Sequence, residues 1–150
     1  MKVLLAIDGS KSSDCVVNEL KNIKLGNNSE VIVLSAIERS VPIMGEPFGG
    51  AVFEYETQIE KQNLEAAEEI LKGARESIEK DFGFDVKTEI VVGSPKYVIV
   101  EKAKEWRTDL IILGSHGYGL WERVLLGSVS TFVAQHAECS VLISRCPHRE

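Results

Sequence analysis

Cysteine is sparse in this chain: there are three, Cys15, Cys139 and Cys146, an odd number that argues against a disulfide framework. Proline is nearly as scarce at four residues, and two of them, Pro42 and Pro47, fall in one segment. Basic residues number 17 against 23 acidic ones, a net charge of −6 at pH 7, and they are dispersed. A surface that tracks nucleic-acid phosphates needs clustered Lys and Arg, so no nucleic-acid partner is expected. Long apolar runs are missing too. The run after Lys2 extends only from Val3 to Ile7 and stops at Asp8, too short for a signal peptide, and nothing approaches the roughly 18 residues of a membrane span. What is present is 44% hydrophobic content over 150 residues, enough for one compact domain spanning 1–150, with the cytoplasm as its expected address.

Apolar runs alternate with amphipathic stretches. Val3 to Ile7 reads as a buried strand closed by Asp8-Gly9-Ser10. The next helix takes Ser12 or Ser13 as its N-cap and turns Val16, Val17, Leu20 and Ile23 to one side. Val31 to Ile37 is a second buried strand. Glu38 to Val52, with Pro42, Gly45, Pro47, Gly49 and Gly50, reads as a loop long enough to act as a lid. From about Glu54 to Lys80, Ala67, Ile70, Leu71, Ala74 and Ile78 repeat at the spacing of a long surface helix. Val86, Thr88, Ile90 and Val92 alternate with their neighbours as in a half-exposed strand. Ser94-Pro95 starts a helix with Val98, Ile99, Ala103 and Trp106 inward. Leu110 to Leu113 is a fourth strand, Ser130 to His136 lies in a last helix, and Ser140 to Ser144 is a fifth strand.

Five strands separated by helices predict an α/β fold: a doubly wound parallel sheet of order 3-2-1-4-5 with helices on both faces. The alternating third strand suits one edge. The fifth lies at the other, yet Val141, Leu142 and Ile143 make it apolar on both faces, unusual for an unprotected edge. Pairing with the same strand of a second copy would cover it, so a homodimer through the fifth strand is expected; burial by the C-terminal tail is the alternative.

In this order the chain reverses direction between strands one and four, and ligands bind there, outside the carboxyl ends of the strands. Those ends carry Asp8-Gly9-Ser10 and Gly114-Ser115-His116-Gly117, and nine residues after Gly117 come Gly127-Ser128-Val129-Ser130 at a helix start. Glycines let backbone N–H groups approach an anion, and a helix N-terminus adds unsatisfied donors and the positive end of a dipole. Other phosphate motifs fail. No Gly-x4-Gly-Lys-Ser/Thr is present, and Glu122 stands where a dinucleotide fingerprint needs its third glycine.

The pattern Gly114-x2-Gly117-x9-Gly127-Ser128, with a first strand ending in Asp8, a second ending Ser35-Ala36-Ile37 and the closing Ser140 to Arg145, resembles the nucleotide-binding branch of the universal stress protein family across the whole chain. The resemblance implies ATP, or AMP or ADP, as ligand. Gly114 and Gly117 would pack against ribose and phosphates, and Gly127, Ser128 and Ser130 would bind phosphate oxygens through N–H and hydroxyl donors. Asp8 would accept bonds from ribose or adenine, the main chain at Ala36 would recognise the adenine edge, and Ala6 would line the same wall. Ile7, Leu113, His116 and Val129 complete the expected nucleotide-binding set. Any Mg²⁺ or Mn²⁺ would be carried by the phosphates, because no carboxylate cluster is visible to build a protein cage.

Each residue also has a plainer use. Gly114 and Gly117 serve an ordinary tight turn, Asp8 caps a helix or turn, and His116 contributes its backbone, since no second titratable group is set to orient it as a base. Cys139 and Cys146 lie roughly 23 Å apart along one strand, too far for a metal site within one chain. In an antiparallel fifth-strand dimer they would face each other across the interface, although two surface thiols in a reducing compartment are the simpler expectation. Tyr118, Leu120 and Trp121 serve a docking patch, a lid or their own domain's packing. The complete cradle without catalytic machinery points to a nucleotide-responsive stress or signalling module with a downstream protein partner. In that reading ATP orders the glycine loops and shifts a population. Slow ATP hydrolysis and a dimeric scaffold that binds no nucleotide are the alternatives.

Overall fold

The computed structural model describes residues 1–38, 49–83, 85–115 and 126–146, with the backbone alone for 49–57. The chain runs β1 (Lys2–Ala6), α1 (Lys11–Lys21), β2 (Glu30–Ile37), α2 (Gly49–Phe82), β3 (Val86–Val92), α3 (Pro95–Glu105), β4 (Leu110–Gly114), α4 (Ser128–His136) and β5 (Ser140–Ser144). The strands form one sheet in the order β3-β2-β1-β4-β5, parallel throughout, as the sequence predicts. Strands this apolar suit a sheet covered on both faces. Successive side chains of β1 therefore go to different cores: Val3 and Leu5 join Val16, Leu20, Leu71 and Ile78 from α1 and α2, whereas Leu4 joins Val98, Ile99 and Val133 from α3 and α4.

Two helix starts depart from expectation. Helix α2 begins at Gly49 rather than near Glu54, so Gly49 to Val52 belong to the helix. Gly costs a helix about 1 kcal/mol relative to Ala, a bias that the rest of a 34-residue helix overrides. Helix α1 has Ser10 at its N-cap position, two or three residues before Ser12 and Ser13, without a side-chain cap bond, and Ser13 instead serves the turn before it. At α3 the expected Ser94-Pro95 start is present, but Ser94 makes no side-chain cap bond; its carbonyl accepts the N–H groups of Tyr97 and Val98. Residues 39–48 of the expected loop lie outside the described residues.

The cysteine expectation is corrected. Cys15 and Cys146 form a disulfide across 131 residues of sequence, which leaves Cys139 as the free cysteine. Cys146 is thus no surface thiol, and it is not free to face a partner's Cys139 as drawn above. An odd cysteine count conceals a single bridge. Its two ends meet only because α1 and the residues after β5 arrive at one corner.

Where α2 hands over to β3, Arg75 Nε donates to Glu79 Oε1 at 2.7 Å, and the Val86 N–H donates to the same oxygen at 3.3 Å. The Arg75 bond, then the Val86 bond, hold the Glu79 carboxyl below the usual carboxylate range. A carboxylate lowered on folding stabilises above its ordinary range, and that contribution is lost as pH falls through the lowered value. The stability gap between the native chain and Glu79→Gln is therefore expected at pH 7 and should shrink as the pH is lowered to 3. Urea midpoints at the two pH values check this, and an equal gap at both would assign the effect to packing.

Candidate functional site

The carboxyl ends of β1, β2 and β4 open into a cleft between the two helical layers. Its floor and walls are Ala6, Ile7 and Asp8 from β1 and its exit, Leu34 and Ala36 from β2, and Leu113 and Gly114 from β4. Helices close the sides with Ser12, Ser13 and Val16 of α1, Pro95 and Ile99 of α3, and Val129 of α4. The volume of this half-open cleft is about 120 Å³, below the roughly 300–1,000 Å³ of whole-ligand pockets. It has the scale of a recess for one flat ring, with the rest of a ligand extending outward. The recess exists because three of its lining residues, Ala6, Ala36 and Gly114, have little or no side chain.

The turn after β1 is built around one carboxylate. Asp8 Oδ1 accepts the Ser10 N–H at 2.9 Å and the Ser13 hydroxyl at 3.1 Å. The Ser13 oxygen in turn accepts the N–H groups of Asp8 (3.1 Å) and Gly9 (2.9 Å). Gly9 sits at φ 81°, a left-handed conformation that glycine adopts without a Cβ penalty. Asp8 thus does cap a turn. A carboxylate has about four acceptor positions, and this exposed side chain keeps capacity for an outside donor. Ser10 Oγ, in the same turn, is buried without a hydrogen-bond partner.

On the opposite side, β4 leads through Ser115 to the start of α4. The Ser115 N–H donates to the Ser144 carbonyl of β5 at 2.9 Å, and the Ser115 carbonyl accepts the Gly127 N–H at 2.8 Å. Ser130, 2% exposed, places its hydroxyl 3.1 Å from the Ser115 carbonyl and 2.9 Å from that of Gly127. Its one hydroxyl proton therefore goes to backbone oxygens and holds the strand exit against the helix start, so Ser130 keeps only its N–H for a ligand. The first bond of α4 runs from the Thr131 N–H to the Gly127 carbonyl. By helix geometry the N–H groups of Ser128, Val129 and Ser130 have no partner within the helix. A helix start of this kind, with its dipole, can hold an anion without a lysine or arginine.

Ala6, Ile7, Asp8, Ala36, Leu113, Gly114 and Val129 therefore meet in one cleft, with Gly127, Ser128 and Ser130 at the helix start beside it. His116 and Gly117 lie outside the described residues, as do Tyr118, Leu120 and Trp121. Sequence reasoning named Val129 of α4 but missed the walls that α1 and α3 supply. The signal for Val16 is its place near the start of α1's apolar face, at the carboxyl end of the sheet. Ser13 gives a fainter one, a polar residue on that inward face. Among the described residues no group of three or more His, Cys, Asp or Glu is placed to hold a metal, and no helix is long and apolar enough to cross a membrane.

Known proteins share this architecture. A universal stress protein of Staphylococcus haemolyticus is 31% identical over 144 residues, covering 95% of this chain and 83% of the relative. UspA from Lactobacillus plantarum superposes with a TM-score of 0.83 at 25% identity, covering 97% of each chain. The protein MJ0577 gives 0.80 at 31% identity, over 98% of this chain and 96% of its own. The profile described as the universal stress protein family matches residues 1–145. A match of that extent, on a sheet of the same strand order, makes this chain a member of the universal stress protein family.

Proposed function

We propose that the chain binds an adenine nucleotide in the cleft and acts as a nucleotide-responsive module. The observation that carries this reading is the pairing of a ring-sized recess with the start of α4, where three N–H groups have no partner within the helix. The base would enter between Ala6, Ala36 and Leu113, the ribose would meet the Asp8 carboxylate, and the phosphates would lie at Gly127 to Ser130. A universal stress protein solved in complex with cAMP, 27% identical with a TM-score of 0.67 and 95% of each chain covered, supports an adenine nucleotide as the ligand class. ATP is the form proposed here, with Mg²⁺ or Mn²⁺ brought by its phosphates; AMP and ADP offer the same base and ribose.

The remaining elements of the proposal are a cytoplasmic homodimer joined through β5 and a downstream protein that reads the nucleotide state. The β5 edge supports the dimer: Val141, Leu142 and Ile143 are only half-buried by their own domain, and a parallel sheet leaves that edge unpaired.

The direct test is to denature freshly purified protein, identify the released small molecules by ion-exchange chromatography, and titrate stripped protein with ATP, ADP, AMP and adenosine by calorimetry. Ala36→Val narrows the recess at the end of β2 while keeping a strand-forming residue, and is expected to weaken all four ligands alike, by about tenfold (1.4 kcal/mol). Protein that is empty on purification and silent in calorimetry would leave the dimeric scaffold as the function.

A further inference from the structure

The Cys15–Cys146 bond ties α1, one wall of the cleft, to the residues that follow β5. Cys15 lies in α1 beside Val16, and with Ser12 and Ser13 that helix forms one wall. Cys146 lies two residues beyond Ser144, whose carbonyl holds the Ser115 N–H. The Ser115 carbonyl then holds the Gly127 N–H and the Ser130 hydroxyl. A short path thus runs from α1 through the sulfurs to the end of β5, and from there through hydrogen bonds to the start of α4, where the phosphates are placed. Cys15 and Cys146 stand 5.5 Å apart at Cα, a distance typical of disulfides.

We propose that this bond is a reversible redox latch that fixes α1 against the start of α4 and so raises the affinity of the cleft for adenine nucleotide. The effect on affinity rests on the nucleotide reading above; the restraint on the turn does not. The oxidant class is a low-molecular-weight disulfide, RSSR. One cysteine thiolate attacks RSSR, its S–S bond breaks, and a mixed disulfide forms with release of RS⁻. The second thiolate attacks the protein sulfur of that mixed disulfide, the Cys15–Cys146 bond forms, and a second RS⁻ leaves. Two electrons pass from the protein to RSSR, and the two protons released by the cysteines convert both RS⁻ to RSH. Excess RSH runs the steps backwards. Both sulfurs belong to half-buried residues, so a small thiol has a route to them. Disulfides in a reducing compartment are in general transient or sensing, which suits a switch better than a staple. Cys139 competes poorly, because burial pushes its thiol up and the thiolate is the reacting form.

The experiment uses the full chain carrying Cys139→Ser, equilibrated in buffers of fixed glutathione to glutathione-disulfide ratio, with alkylated thiols counted by mass. Two thiols are expected to disappear together as the ratio falls. Without nucleotide, the Ser115 and Gly127 amides should then exchange hydrogen about tenfold more slowly in the oxidised form (1.4 kcal/mol per tenfold). Calorimetry should give several-fold tighter ATP binding in that form, whereas Cys146→Ser and Cys15→Ser should behave as reduced in every buffer. Failure of the pair to oxidise, equal amide exchange in the two states, or equal affinity in a protein that does bind ATP overturns the latch. Altered exchange with no ATP binding in either state sustains the restraint on the turn and sinks the nucleotide reading.

Discussion

Ile112→Ala is expected to lower the unfolding free energy by about 3 kcal/mol, within the 2–5 kcal/mol range of large-to-small core substitutions. For a domain of this size that is a fall in Tm of roughly 6–12 °C. Ile112 is fully buried in central strand β4, paired in register with Leu5 of β1 and Leu142 of β5, and it joins the core under α1 and α2. No side of that site is open to water, so the cavity left by truncation has no easy way to close. The same truncation at Leu142, one strand outward, should cost only about 1–2 kcal/mol in dilute protein, since that side chain is half-buried and can relax toward solvent. Urea unfolding with an unchanged slope measures both. The pair also tests the proposed β5 interface. If two copies meet at that edge, the Leu142→Ala penalty should grow with protein concentration while the Ile112→Ala penalty stays constant. A cost below 1 kcal/mol at Ile112 would mean that the core is not packed around it.

That contrast between strands also shows what the sequence discloses. Central strands β1 and β4 are apolar on both faces and β3 alternates, so for these three strands burial on two sides or one is written in side-chain order. The edge position of β5 could not be read from its composition, which resembles that of a central strand; it came from the doubly wound order expected of five strands that alternate with helices. Helix starts were less legible. Ser10, Ser12 and Ser13 are chemically equivalent caps, and only the placement of Asp8 directs the Ser13 hydroxyl to the preceding turn and leaves Ser10 at the helix boundary. At the candidate site, the residues on strand ends and the helix start were legible because glycine spacing and topology both point to them. The walls from α1 and α3 were not. Val16, Pro95 and Ile99 look like ordinary core or cap positions until the helices pack over the crevice. Nor does spacing reveal that the Ser130 hydroxyl is already engaged, because its acceptor Ser115 stands 15 positions back across the excursion. The disulfide is the extreme case of the same limit: both ends are local features and only their meeting is informative.

Ser128→Pro separates the helix-start donors from everything else at the site. Ser128 is the first residue of α4, where proline is tolerated because its missing N–H has no helical partner. The residue before a proline must be extended, and Gly127 already is, at φ −62° and ψ 159°. The first bond of the helix, from Thr131 to Gly127, uses neither group that the substitution removes. Stability should therefore change little, while a nucleotide phosphate loses one N–H and one hydroxyl. A hydrogen bond to a charged group is worth about 1.5–3 kcal/mol, so the loss of even one of the two should weaken ATP and AMP about ten- to a hundredfold, and the loss of both by more. Ser128→Ala removes the hydroxyl alone and should cost less than the proline. Adenosine, which has no phosphate to place there, should bind both variants as it binds the native chain. Calorimetry with the three ligands reads each arm, and an equal loss for adenosine would mean that the substitution deforms the recess. Unchanged ATP binding would remove the start of α4 from the site and shift the phosphate contacts elsewhere along the cleft.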